Sequence, residues 1–355
     1  MNGVTAMILA AIAAGGITAL LGFVFVPWLH KLKFGQIILD IGPNWHKHKQ
    51  GTPTMGGLMF IIGVSLAVIA ALLIDHFLMS GNMLVGNNES NFALKLIAGI
   101  AMALCFGLIG FLDDYTKVVK KRNQGLSITQ KSVMQIVVIA GYLFALWVAM
   151  DRKPYTLLPF VVNQYGEVTG GYWYLGLFFW PFAAAVLYAT INAVNFTDGI
   201  DGLCTSVTLI TGTGLAVFAA MRGLFGAGVL AAALAGGCAG FLVWNKPPAK
   251  VFMGDTGSMF IGGIIVAAAF ALDAPLILLP MGIIYVIEGL SDVMQIGYFK
   301  LTGGKRIFKM APIHHHFEMS GWGEKKIDLV FCLVNLAGVI TGLLIVWFGL
   351  PGFLV

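Results

Sequence analysis

Five aspartates stand out in a chain that is otherwise sparing with charge: Asp113 and Asp114 in GFLDDYTK, Asp198 and Asp201 in NFTDGIDGL, and Asp255 in FMGDTGS. Each lies beside glycines, amides or lysines where an apolar run begins or ends. Carboxylates gathered in a poorly hydrated site repel one another strongly, and a divalent cation resolves that repulsion. A ligand set made only of oxygens suits a hard ion, Mg2+ or Mn2+, rather than zinc. The opposing reading of GFLDDYTK is local: Asp113 pairs with Lys117 one helical turn on and marks a membrane edge. Acids at the C-terminus of a helix meet its partial negative charge, so two of them closing a greasy run call for a compensating cation.

NFTDGIDGL and FMGDTGS share a second property. Both are polar, glycine-containing turns between apolar helices, where backbone N–H groups can approach an anion and a following helix N-terminus favours phosphate. GTPTMGG, residues 51–57, is placed similarly, with Lys49 just upstream. None is a Walker A loop, because GxxxxGK[ST] is absent, and each taken singly also reads as an ordinary turn. His314, His315 and His316 are consecutive in APIHHHFE. Three adjacent imidazoles converge poorly on one ion, so donation to phosphate or hydroxyl groups is the more natural chemistry, with a solvated loop as the alternative. Glu288 and Asp292 stand four residues apart inside an apolar stretch, either as functional groups or as residues facing a polar bundle interior.

The elements that must position these groups are membrane helices. Of 355 residues, 59% are hydrophobic and 10% charged, and the mean hydropathy is +0.90. A soluble domain carries roughly 25% charged residues. The composition therefore gives an all-α polytopic membrane protein, read as one domain over residues 1–355. Its 46 glycines suit close helix packing. Cys105, Cys204, Cys238 and Cys332 lie in apolar segments without CxxC spacing and read as small core residues. About 20 apolar residues make a span. Ten candidates follow, at roughly 3–29, 54–74, 93–112, 132–150, 174–194, 203–221, 224–244, 259–273, 275–297 and 330–349. The first carries no basic n-region and is too long for a signal peptide.

All but four of the 21 lysines and arginines fall in the loops after spans one, three, seven and nine. Those loops are therefore assigned to the cytoplasm, with both termini outside. The five aspartates lie on the same side. The exceptions are Lys95, Arg152, Lys153 and Arg222. Between residues 155 and 174, YTLLPFVVNQYGEVTGGYWY reads as a short outer-surface hairpin with interfacial aromatics.

The ordered set GTPTMGG, DDYTK, NAVNFTDGIDGL, NKPPAKVFMGDTGS and PIHHHFE resembles the bacterial phospho-N-acetylmuramoyl-pentapeptide transferases, a branch of the polyprenyl-phosphate N-acetylhexosamine-1-phosphate transferase family. The resemblance runs from about residue 38 to 320, and PIHHHFE distinguishes this branch from the N-acetylglucosamine-phosphate transferases. It implies a ten-helix homodimer in the bacterial inner membrane, with a bent ninth helix and a cytoplasmic active site. The implied reaction moves phospho-MurNAc-pentapeptide from UDP-MurNAc-pentapeptide to undecaprenyl phosphate, an early membrane step of peptidoglycan synthesis. Mg2+ is the implied cofactor, with Mn2+ as a substitute, and nucleic acid is not an implied partner.

By resemblance Asp255 is the metal ligand, Asp113 lies near the lipid phosphate, and Asp114 supports the site. His314 is the implied catalytic histidine, with His315 and His316 binding substrate. Lys117 and Lys131 suit phosphate contacts, and Lys49 lies on the nucleotide side. Phe252 would stack on uracil, while Asn195, Asp198, Gly199 and Asp201 shape the nucleoside pocket. Asn245 also matches a substrate-binding position. Two rival readings stand beside this one. A transferase using UDP-GlcNAc is opposed by HHHFE, and an ion-coupled transporter would spread its polar residues through the midplane rather than along one face.

Overall fold

The computed structural model describes residues 2–32, 51–78, 83–85, 91–120 and 124–355. Lys49 therefore lies outside the described residues. Apolar runs become helices in chain order: α1 Gly3–Lys31, α2 Gly57–Leu78, α3 Phe92–Val119, α4 Ile128–Ala149, α5 Phe179–Thr197, α6 Leu203–Met221, α7 Phe225–Asn245 and α8 Gly254–Ala271. A short α9, Leu278–Met281, meets α10, Ile283–Leu301, and then come α11, Ile313–Glu318, and α12, Glu324–Gly349. Among the described residues, nine helices are long and apolar enough to cross a membrane, or ten when the bent pair counts as one span.

The ninth span is broken as expected. Pro275–Met281 and Ile283–Leu301 meet at 89°. Pro280 has no N–H to give the ladder, and Gly282 follows at the break. Backbone freed inside a membrane must find partners within the protein. Thr211 donates to the Met281 carbonyl (3.0 Å) and receives a bond from the Asn335 amide (2.9 Å), whose oxygen takes the Ile284 N–H at 3.5 Å. Threonine and asparagine on two neighbouring helices thus satisfy the interrupted span.

Several expected boundaries move, among them the start of the last span from 330 to Glu324, and two of the moves matter for the site. The third span does not end at residue 112. Helix α3 continues to Val119, so Asp113 and Asp114 stand within the helix and away from its C-terminal carbonyls. Span eight begins at Gly254 rather than 259, which puts Asp255 in its first turn. Every residue of α8 from Thr256 to Ala271 is buried, so neighbouring helices surround it. Glycines set the closeness of packing. A Cβ on Gly236 would lie 2.0 Å from the Ala11 carbonyl oxygen, where α1 crosses α7.

At the end opposite the aspartates, the expected hairpin forms. Strand β1, Tyr155–Leu158, pairs antiparallel with β2, Gly171–Tyr174, and Leu157 N–H bonds the Asp273 carbonyl (2.7 Å). Lys95 is fully buried against the Asp273 carboxylate at 2.8 Å, with Tyr155 Oη 3.3 Å away. Arg222 is buried too and donates to the Leu272 carbonyl. Two of the four basic residues on this side are thus consumed inside the protein. Cys204 and Cys238 are core residues as expected, whereas Cys105 is exposed on the helix surface.

Candidate active site

Three of the five aspartates converge. Ligand oxygens of Asp113, Asp114 and Asp255 all lie within 4.8 Å of one another. What brings them together is the crossing of α3 and α8. Gly110, one turn before Asp114 on α3, abuts the first turn of α8: a Cβ there would lie 2.1 Å from the Asp255 carbonyl oxygen. Only a residue without a side chain permits that approach.

Each carboxylate has a distinct task. Asp114 accepts the Asp255 N–H (3.2 Å), the Thr256 N–H (2.9 Å) and the Thr256 hydroxyl (2.7 Å). It caps α8 from another helix and satisfies N–H groups that a helix start leaves free. The N-terminus of α8, expected to favour phosphate, is therefore already occupied by a carboxylate. Asp113 uses one oxygen to accept the Leu126 N–H (2.9 Å) and turns the other to Lys117 at 2.6 Å. Gly125 lies so close that a Cβ would be 2.5 Å from Asp113 Oδ1.

Asp255 gathers the cations. Its Oδ2 meets Lys117 Nζ at 3.0 Å and Lys131 Nζ at 2.9 Å, and its Oδ1 accepts the Asn195 amide at 2.9 Å. Lys117 also lies 3.7 Å from Asp114. The local pair Asp113–Lys117 and the shared site are thus the same structure, with one ammonium serving three carboxylates. Lys131 is set by the start of α4, where Ser127 and Gln130 form a reciprocal capping box. Asn195 is fixed by a second bond to Ser258 Oγ at 2.8 Å. Two ammonium groups face three carboxylates, and the donor set is all oxygen. That chemistry fits a hard divalent ion, which the cluster of Asp113, Asp114 and Asp255 could hold.

The other expected residues surround this cluster in different ways. Asp198 ends α5, and the Gly254 N–H bonds to it. Burial pushes its carboxyl up to about 8, aided by the charges of Asp255, Asp114 and Asp201 and opposed by that N–H. Below about 8 the folded chain keeps a proton that the unfolded chain releases above the ordinary carboxylate range, so stability falls as pH rises between those limits. Melting temperature in detergent is expected to drop from pH 5 to 8 in the wild-type chain and to drop less in Asp198→Asn. Equal slopes would contradict the assignment.

Asp201 accepts the Ala249 N–H (2.8 Å) and ties its turn to the NKPP loop. Asn245 is buried, taking the Thr205 hydroxyl at 2.8 Å and donating to the Val251 carbonyl at 3.1 Å. It shapes the loop that carries Phe252. Phe252 itself is half-buried, and its N–H donates to the Pro53 carbonyl (2.8 Å), while Gly56 and Gly57 N–H groups return bonds to residues 252 and 253. GTPTMGG is thus laid along FMGDTGS.

The three histidines take separate hydrogen-bond partners, although the rings of His314 and His315 lie 4.1 Å apart. His316 Nδ1 accepts the Lys309 N–H at 3.1 Å, and His315 Nδ1 is 2.6 Å from Glu318. His314 is wholly buried, with Nδ1 3.0 Å from Glu288 Oε2. Among the described residues, no hydrogen bond joins it to Asp113, Asp114 or Asp255. Gln295, not singled out in the sequence, accepts the Ile307 and Phe308 N–H groups and folds the loop before the histidines. Gly110 and Gly125 are also invisible to sequence reasoning, since a helical or loop glycine announces no partner 145 or 12 positions away.

Comparison with known proteins agrees with this geometry. The description "Glycosyl transferase family 4" matches residues 96–273, and "Phospho-N-acetylmuramoyl-pentapeptide-transferase signature 1" matches residues 49–61. The phospho-N-acetylmuramoyl-pentapeptide-transferase of Clostridium perfringens (strain 13 / Type A) is 43% identical over 331 residues, which is 93% of this chain and 95% of the relative. That of Clostridium kluyveri (strain NBRC 12016) is 42% identical over 95% of this chain and 98% of the relative. That of Acetivibrio thermocellus is 44% identical over 91% and 90% respectively. With identity at this level across nearly the whole length, and with the acidic cluster inside the matched region, the chain belongs to the phospho-N-acetylmuramoyl-pentapeptide-transferase family.

Proposed function

We infer that this chain transfers phospho-MurNAc-pentapeptide from UDP-MurNAc-pentapeptide to undecaprenyl phosphate, giving lipid I and UMP. The observation that carries the reading is the convergence of Asp113, Asp114 and Asp255 with Lys117 and Lys131 at one end of a membrane bundle. A soluble nucleotide and a lipid whose phosphate lies at the membrane surface can meet there. The distribution of lysine and arginine supports a cytoplasmic position for that end. By family likeness the working unit is a homodimer.

The reaction is an in-line displacement. An oxygen of the lipid phosphate attacks the phosphorus attached to the sugar, and the bridging P–O bond breaks to release UMP. Two anions must approach, so the chain's own task is to supply and place positive charge. Lys117 and Lys131 do this from the two sides of Asp255. A divalent cation such as Mg2+, held by Asp255 within this acidic cluster, would offset phosphate charge and the charge growing on the leaving nucleotide. Asp113 has one oxygen engaged by the Leu126 N–H and the other by Lys117, which disfavours it as a nucleophile. The lipid phosphate is already ionised at neutral pH and needs no base to attack directly.

UMP release from purified protein with undecaprenyl phosphate and either UDP-MurNAc-pentapeptide or UDP-GlcNAc tests the reading. Turnover is expected with the first donor alone, abolished by a chelator and restored by Mg2+. Release with UDP-GlcNAc only would assign the chain to the other donor class.

A further inference from the structure

Glu288 and His314 form a buried pair outside the aspartate cluster, and nothing in the phosphoryl chemistry above uses Glu288. Both side chains have no exposure to solvent, and Nδ1 meets Oε2 at 3.0 Å. Each keeps a second buried polar atom, Glu288 Oε1 and His314 Nε2, without a hydrogen-bond partner among the described residues. Such a pair is a poor device for stability, since buried ions repay their desolvation only when every polar atom is satisfied. Its value must lie in geometry.

The other face of the imidazole indicates which geometry. A Cβ on Gly199 would lie 2.1 Å from His314 Nε2 and 2.6 Å from Cε1. Gly202, in the same turn, needs glycine for its backbone, at φ +80°. Gly199 is not among the positive-φ glycines, so its backbone does not require glycine. Its missing side chain instead admits the edge of His314. The turn so braced carries Asp198 on one side of Gly199 and Asp201 two residues beyond.

We propose that Glu288 is a positioning residue: by holding His314 against Gly199, it sets the turn that presents Asp198 and Asp201 to the substrate. The inference rests on the transferase reading above and deepens it. The braced turn offers the side-chain oxygens of Asp198 and Asp201, which suit the N–H and hydroxyl donors of a nucleoside. Disturbing the brace should therefore weaken the nucleotide donor and spare the lipid acceptor.

UMP release and thermal unfolding of the full chain in detergent, for wild type, Glu288→Ala, Glu288→Gln and Gly199→Ala, test this. Glu288→Ala removes the brace from behind, and Gly199→Ala pushes the imidazole from the front. Both are expected to raise the donor KM about tenfold while kcat and the acceptor KM change by less than about threefold. Glu288→Gln keeps an oxygen for the imidazole N–H and is expected to recover most of the loss. Unchanged donor KM in Glu288→Ala or Gly199→Ala overturns the proposal, as does a fall in kcat and melting temperature alone. Failure of both alanine variants to fold also overturns it, leaving a structural pair. A wild-type chain that releases no UMP sinks the transferase reading itself, whereas normal wild-type turnover with indifferent variants sinks only the positioning role.

Discussion

Asp255→Asn is expected to lower turnover about a thousandfold while leaving the folded protein intact, a loss of about 4 kcal/mol in transition-state stabilisation. The substitution keeps size and shape. Asn195 retains an oxygen to donate to, and Asp114 still caps the helix, because its partners there are backbone N–H groups and Thr256. What disappears is the charge that draws Lys117 and Lys131 to one point and that would hold a divalent ion. The lysines keep other partners, Asp113 for Lys117 and the Asn195 oxygen for Lys131, so neither is left as an isolated buried cation. UMP release at saturating donor, beside the melting temperature of the purified variant, separates chemistry from folding. Near-normal turnover at ordinary Mg2+ would show that Asp255 is not a metal ligand.

Gly110→Ala is expected to damage both activity and stability through one methyl group. The atoms it meets are the Asp255 carbonyl oxygen and carbon and the Thr256 nitrogen, at 2.1, 2.4 and 2.6 Å. All are backbone, so no side chain can turn aside and the two helices must separate. Overpacking of this kind costs about 1–3 kcal/mol. Separation would also stretch the bonds from Asp114 to the start of α8 and move Asp113 away from Asp255. A displacement near 1 Å at reacting groups costs about a hundredfold in rate. Gly141→Ala on α4 is the control, since a Cβ there meets nothing within 4 Å. If the two variants behave alike in UMP release and thermal unfolding, the α3–α8 contact does not set the site.

Much of this arrangement was legible in the sequence because it is written locally. Apolar length marks the spans, and three of the aspartates singled out in the sequence meet in one cluster. Pro280 and Gly282 carry the break in the ninth span as ordinary helix breakers. The misread boundaries have a common cause. Hydropathy falls at both places, so the sequence alone ends α3 at the two acids and starts α8 after GDTGS. In the folded chain the first segment's acids are neutralised by Lys117, and the second segment's N–H groups are capped by Asp114 from 141 positions upstream. The pairs Lys95–Asp273 and Glu288–His314 were equally hidden, since their partners are 178 and 26 positions apart. Periodicity and propensity report on neighbours in the chain, and these contacts are made by the fold.

The enclosure of α8 has a consequence for how the enzyme senses its surroundings. Helices that touch acyl chains tilt or shift when bilayer thickness changes. With every residue from Thr256 to Ala271 covered by protein, α8 has no such contact, and Asp255 rides on its first turn. The proposed metal ligand is thereby kept out of direct contact with the fatty acids of the membrane.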